Sequence, residues 1–261
     1  MKCSLFKTIE KRKRTMMTPR VAAIHDMSGF GRCSLTVAIP ILSAMGVQCC
    51  PLPTAFLSTH TGGFEGFTFL DMTDEMSKVA DHWASLGLTF QAVYSGFLGS
   101  ERQIGVVENF ICRFRGPDTV VVVDPVMGDY GRVYQTYTAG EAGLREITER
   151  LSLGGRRSVV LTGASLAPGR TGAVCFDART GKTEAVQTAY VAHEFHGTGD
   201  VFSSVLTGAL VRGESLSSAA GEAAAFVRAC AERTAAEDLP MREGVDFEPL
   251  LGLLIPGKET V

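Results

Sequence analysis

The sequence predicts an α/β domain: a mainly parallel central sheet with helices on both faces. Two observations carry this expectation. Short β-branched runs alternate with longer segments whose apolar residues recur at helical spacing, and such a βαβα rhythm builds parallel strands joined by crossover helices. The run "TVVVVDPV" is continuously aliphatic up to its aspartate, as a strand covered on both faces must be. With no linker, repeat or low-complexity tract, residues 20–261 read as one domain behind a basic leader, 1–19.

Taken in order, strands are expected at 21–25, 47–56, 92–95, 119–124, 158–162 and 172–177. "DARTGK" turns the last into an antiparallel partner over 183–190. Helical periodicity covers 34–45, 71–86, 101–115 and 140–153, with two closing helices over 198–212 and 216–233.

Composition narrows the function. The chain has 261 residues, is 45% hydrophobic and carries a formal net charge of -3, which suits a globular domain with a sizeable core and argues against a nucleic-acid partner. Basic residues cluster only at the start (Lys2, Lys7, Lys11, Arg12, Lys13, Arg14, Arg20), where Met16 and Met17 offer later starts and no signal-peptide core follows. The seven cysteines include no C-x-x-C and read as buried reduced thiols, giving a cytoplasmic expectation. The five histidines show no pair at metal-ligand spacing, and no apolar run is long enough to span a membrane.

Ligands of open α/β sheets collect where strands end and helices begin. Three such junctions are rich in polar residues. "AAIHDMSGFGRCS" places His25, Asp26, Ser28, Gly29 and Gly31 after a strand, although its G-x-G lacks the third glycine of a dinucleotide fingerprint. "VVVVDPVMGDYGRVY" sets Asp124 and Asp129 five residues apart, a pair able to hold Mg²⁺ near a polyphosphate or simply to cap a turn. "HGTGDVFSSVLTGAL" is the third. Gly197 and Gly199 let successive N–H groups converge at a helix N-terminus, which makes an anion hole. A carboxylate there, Asp200, either caps the helix or takes a proton from a hydroxyl attacking a phosphorus that the amides stabilise.

Together "HDMSGFGRCS", "FLSTHTGG", "DPVMGD" and "GTGD" followed by "VFSSVLTGAL" resemble the ribokinase-like superfamily, specifically its pyridoxal kinase branch, over roughly residues 20–254. The resemblance implies ATP- and Mg²⁺-dependent phosphorylation of the hydroxymethyl group of pyridoxal, pyridoxine or pyridoxamine by a homodimer. It implies Asp200 as base and Gly197, Thr198 and Gly199 as anion hole. Asp124 and Asp129 would organise Mg²⁺, and Asp124, Tyr134, Thr162 and Gly163 would meet the nucleotide. Asp26, Ser28 and Thr61 would touch the pyridine ring, with Phe97 packed on it and Phe56 and Phe64 as further apolar wall.

One departure stands out. The family follows "DPVMGD" with a further strand ending in Thr-Pro-Asn and then Glu-Ala on the next helix. Here only Tyr130 to Arg157 precede "SVVLTG", and the sole asparagine of the chain is Asn109. A strand and about a helix pair are therefore expected to be missing, so that the strands at 119–124 and 158–162 either pair directly or leave a groove. Two alternatives follow: a hydroxymethylpyrimidine kinase, whose Asp-x-Ser-Gly-Gly loop "HDMSGFG" resembles, or a vitamin-binding regulatory protein that kept the fold and lost efficient ATP use.

Overall fold

The computed structural model of the chain describes residues 17–125, 128–129, 132–133, 141–192, 195–237 and 239–257. Its main sheet is built from β1 (Arg20–Ser28), β2 (Gln48–Leu57), β3 (Phe69–Asp71), β4 (Ala92–Ser95) and β5 (Val120–Val123), in the order β3-β2-β1-β4-β5. β1 lies parallel to β2 and β4, and β4 parallel to β5, whereas β3 is an antiparallel edge strand that periodicity did not reveal. Three residues are too few to show an alternation.

Two helices, α2 (Thr73–Ser85) and α3 (Glu101–Phe114), cover one face of this sheet. Ala22, Ile24, Leu52 and Val93 meet Met76 and Phe110 there. The opposite face receives α1 (Ser34–Ala44), where Val21, Val47 and Ala92 pack on Ala38 and Leu42. Alternate residues of β1 thus serve opposite faces, as the pleat requires, and each fully buried aliphatic contributes roughly 1.5–3 kcal/mol.

The rest of the chain forms β6 (Gly128–Asp129), β7 (Arg132–Val133), α4 (Glu141–Leu151), β8 (Val159–Thr162), β9 (Arg170–Asp177), β10 (Lys182–Ala189), α5 (Thr198–Val211) and α6 (Leu216–Ala236). The expected hairpin is β9–β10, paired from Lys182↔Asp177 to Ala189↔Arg170. A third core joins α1, α5, α6 and β9 through Ile41, Val201, Val205, Ala219, Ala223 and Cys175. Small residues let these helices approach closely: a β-carbon at Gly208 would lie 2.4 Å from the Met45 sulfur.

Of the two outcomes expected at the missing segment, direct pairing is not observed among the described residues. The β8 strand joins an antiparallel sheet of order β10-β9-β8, and among the described residues no ladder connects it to β5. The outer end of β5 is consequently bare, with Val123 61% exposed. The single mainly parallel sheet is thus interrupted. Two smaller expectations also need correction. Cys112 is exposed on α3, because it falls on that helix's solvent side, and Cys49 and Cys50 are only half-buried. Phe56, expected in the core or against a ring, is 47% exposed.

Candidate active site

Three strand or helix ends converge. The first is the end of β1. Its register against β2 slips between His25 and Met27, where Asp26 alone stands opposite Thr54 and Ala55, a bulge that bends β2 and raises the local twist. Asp26, which falls in the slip, is buried and accepts a 2.8 Å hydrogen bond from the Ser28 hydroxyl.

At the second end, Asp124 continues β5. Its N–H donates to the Ser95 carbonyl at 2.8 Å. Its carboxylate accepts from the Ser203 hydroxyl of α5 at 2.7 Å. Burial pushes the Asp124 carboxyl above its ordinary range, and the Ser203 bond works in the opposite direction.

The third end is the start of α5. Gly197 has φ +75°, and a β-carbon there would sit 2.1 Å from the Arg32 carbonyl oxygen, so both conformation and space demand glycine. The first intrahelical bond runs from Val201 N–H to the Gly197 carbonyl. The amides of Thr198, Gly199 and Asp200 therefore have no partner in the helix and carry its positive pole.

Asp200 lies among these ends. Its carboxyl is walled in by protein while the residue keeps a partial opening to solvent. Burial pushes it up to about 7; the backbone N–H of Ser34 opposes this, and the neighbouring charges of Asp124 and Asp26 add to it. Three carboxylates thus share one pocket. Cys33 at the head of α1 belongs to the same cluster, its thiol raised to about 12 by burial and then by Asp26 and Asp200. Ser34 pays for its position: it adopts φ +49°, a left-handed conformation costing roughly 1–2 kcal/mol for a residue with a β-carbon.

The loop carrying Thr61 abuts this turn, since the His60 and His196 rings lie 5.4 Å apart. Thr61 itself is half-buried and engaged with a neighbour. His60 is structural: its Nδ1 accepts from Gly62 N–H at 3.0 Å, so Nε2 carries the proton and donates to the Arg242 carbonyl at 2.7 Å. His25 is buried with its ring 4.2 Å from that of Tyr94, neither ring nitrogen has a hydrogen-bond partner among the described residues, and desolvation lowers its pKa to about 3. Phe97 is half-buried and, with Ile104, Val107, Ile111 and Val123, walls a cleft of about 410 Å³ that opens beside Asp124.

Arg32 braces the whole corner. Its amide donates to the Glu243 carbonyl at 3.0 Å, and its guanidinium pairs with Asp246 at 2.9 Å and Glu248 at 2.8 Å. Asp246 is held in turn by Arg233 at 2.6 Å.

The structure therefore brings together Asp26, Ser28, Asp124, Asp200 and the Gly197–Gly199 turn. Thr162 and Gly163 stand on the second sheet, Thr162 exposed at the end of β8 and Gly163 at φ +70°. Asp129 is placed on β6 by its backbone alone, and Tyr134 lies outside the described residues. Sequence reasoning passed over Cys33, Ser34 and Ser203. The first two follow a Gly-x-Gly turn and the third follows Asp200 by three residues, but serine and cysteine in apolar helices carry no distinguishing signal.

Comparison with known proteins agrees with this geometry. The family described as phosphomethylpyrimidine kinase matches residues 130–244. A pyridoxine/pyridoxal/pyridoxamine kinase of Bordetella bronchiseptica is 27% identical over 265 aligned positions, covering 82% of this chain and 89% of the relative. Those positions outnumber the residues contributed here, so about fifty positions of the relative face a gap. A Bacteroides thetaiotaomicron protein, described provisionally as a phosphomethylpyrimidine kinase and crystallised with pyridoxal, is 37% identical with a TM-score of 0.84, covering 91% of this chain and 96% of its own. The pyridoxal kinase of Leishmania donovani, in complex with ADP and ginkgotoxin, shares the fold at 18% identity and a TM-score of 0.78, covering 90% of this chain and 95% of its own. Motifs, converging carboxylates and full-length likeness point the same way: the chain belongs to the ribokinase-like superfamily, in its pyridoxal kinase branch.

Proposed function

We propose that this kinase transfers the γ-phosphoryl group of ATP to the hydroxymethyl group of a B6 vitamer, with Asp200 as the base. The observation that carries the reading is the carboxyl of Asp200, raised to about 7 and set in the first turn of α5, whose amides at Thr198, Gly199 and Asp200 have no partner within the helix. A base with that proton affinity removes a hydroxyl proton near neutral pH. The amides of Thr198, Gly199 and Asp200 face the charge that develops on the transferred group, as preorganised dipoles. Asp26 and Ser28 supply the polar contacts for the pyridine ring, Thr61 a further one, and Phe97 an apolar wall.

Mg²⁺ fits the donor set at Asp124. One carboxylate oxygen is held by Ser203, and no hydrogen bond from a described residue reaches the other. Such a hard oxygen donor suits a cation that keeps most of its waters. When bound, the ion would offset the charge of the ATP phosphates, with Asp129 as a second ligand. For the nucleotide the reading draws on the Leishmania neighbour, which holds ADP, and assigns Tyr134, Thr162 and Gly163 to its binding. A cytoplasmic homodimer completes the proposal; among the described residues no helix is long and apolar enough to cross a membrane.

Hydroxymethylpyrimidine phosphorylation is the second reading, favoured by the family description that matches residues 130–244. One experiment separates the two: incubation of purified protein and Mg-ATP with each B6 vitamer and with hydroxymethylpyrimidine, followed by mass spectrometry. Phosphorylated vitamer is expected. Product from hydroxymethylpyrimidine alone would transfer the assignment, and product from neither would leave a binding protein.

Asp26→Ala and Thr61→Val are each expected to weaken vitamer binding about 5- to 150-fold, the equivalent of ~1–3 kcal/mol for a buried polar partner left unpaired. Calorimetry with pyridoxal checks this. Unchanged affinity in both variants would place the ring elsewhere.

A further inference from the structure

We propose that Ser203 is a positioning residue for the Mg-nucleotide, fixing the Asp124 carboxylate so that its unshared oxygen faces the phosphates. The inference rests on the reading of Asp124 given above. It starts from the break in the sheet. In a continuous sheet a strand beyond β5 would flank Asp124, but among the described residues no strand pairs with β5 on that side, and Val123, its last residue, is 61% exposed. Without such a strand, the two side-chain torsions of the half-buried Asp124 need another contact to fix them.

Two contacts do so. The main chain is tied to β4 by Asp124 N–H to the Ser95 carbonyl at 2.8 Å, and the side chain is tied to α5 by the 2.7 Å Ser203 bond. The second contact is the more telling, because it reaches the helix that carries Asp200 one turn earlier. Residues three apart on a helix share a face. Ser203 therefore links the separation of the two carboxylates to a rigid element.

The surroundings favour a directed hydroxyl. Ser203 is buried, and its own carbonyl accepts the Thr207 hydroxyl at 2.7 Å, so the helix is fixed at this turn. The Tyr94 hydroxyl lies within reach of the Ser203 and Ser204 hydroxyls, all three residues being buried. Ser203 thus gives its proton to the carboxylate although other oxygens lie nearby. A charge-assisted bond of this kind is stronger than a neutral one.

The test uses an isosteric pair. Ser203→Thr and Ser203→Val add the same bulk and differ only in the hydroxyl. Binding of ADP is measured by NMR titration, which reads millimolar and weaker affinities, with and without Mg²⁺, alongside Ser203→Ala, Asp124→Asn and pyridoxal binding as a control. The Mg²⁺-dependent gain in ADP affinity is expected to fall about tenfold, the loss of one hydrogen bond to a charged group, in the Ala and Val variants. It should stay near wild type in the Thr variant, with pyridoxal affinity unchanged throughout. If Asp124→Asn abolishes the gain while Ser203→Ala and Ser203→Val retain it, the positioning role is overturned and the reading of Asp124 stands. If Asp124→Asn also retains it, both fall. Equal losses in the Thr and Val variants, with none in Ser203→Ala, would reduce the effect to bulk and overturn the proposal.

Discussion

Asparagine at position 200 is expected to lower kcat by about 10²- to 10⁴-fold, the usual contribution of a general base, while leaving vitamer affinity within a few fold. The amide keeps the size of the carboxyl and removes its basicity. In the unaltered protein kcat/KM should rise with pH through about 7, since the carboxyl must be ionised to act and its proton affinity is raised to that value. Near-wild-type kcat in Asp200→Asn would reduce the residue to a helix cap.

The same substitution has a second readout, in stability. Asp200 is raised from 3.8 to about 7 in the folded protein. The native state therefore holds the extra proton between those values, and the stability this confers is present in acid and lost as pH rises through about 7. His25 works in reverse. Its pKa falls from 6.5 to about 3, so the unfolded chain takes that proton, and stability present above 6.5 is lost as pH falls towards 3. Across roughly pH 4 to 6.5 the two effects oppose, each at about 1.4 kcal/mol per pH unit, and nearly cancel. Asp200→Asn removes one of them. The variant should be more stable than wild type at pH 8, should lose that advantage on acidification, and should show the His25 slope alone. Denaturation at pH 5, 6 and 8 checks this; parallel stability curves for the two proteins would contradict the burial of Asp200.

The second large effect concerns ATP. The vitamer contacts proposed above would come from Asp26 and Ser28 of β1, Thr61 in the loop after β2 and Phe97 after β4, all outside the missing segment. The proposed nucleotide side would border β5 and β8, between which no ladder runs among the described residues, and the family's Thr-Pro-Asn segment is absent from the sequence. Two lost polar contacts to a charged ligand, at ~1.5–3 kcal/mol each, weaken binding by about two to four orders of magnitude. A millimolar or immeasurable KM for ATP is therefore expected beside ordinary vitamer binding, and reinsertion of a Thr-Pro-Asn strand with its helices should lower it. A low-micromolar KM in the unaltered protein would show the segment to be dispensable.

Much of this molecule is legible in its sequence, and the reasons are local. β5 declares itself by four successive valines and the β9–β10 hairpin by its "DARTGK" turn. Gly197 is legible because only glycine serves a left-handed helix entry pressed against a carbonyl. What stayed hidden depends on partners distant in sequence. The β3 strand exists because β2 offers it a ladder. Ser203 matters because Asp124, 79 residues earlier, comes to lie against it. Ser34 looks like an ordinary helix start until its strained backbone is found beside Asp200. The gap was visible as a shortage of residues, but that no ladder joins β5 and β8 among the described residues is a tertiary outcome that local sequence does not encode.

The bracing of Arg32 gives the carboxy-terminal stretch a role that its lack of catalytic side chains conceals. The carbonyl against which Gly197 is pressed belongs to a residue whose amide and guanidinium are gripped by Glu243, Asp246 and Glu248. A premature stop codon just before Met241 would leave Asp26, Asp124, Asp200 and the Gly-Thr-Gly turn all encoded. It would also unfasten the residue that shapes the turn, and a gene so shortened would specify every group the chemistry names and no longer specify their arrangement.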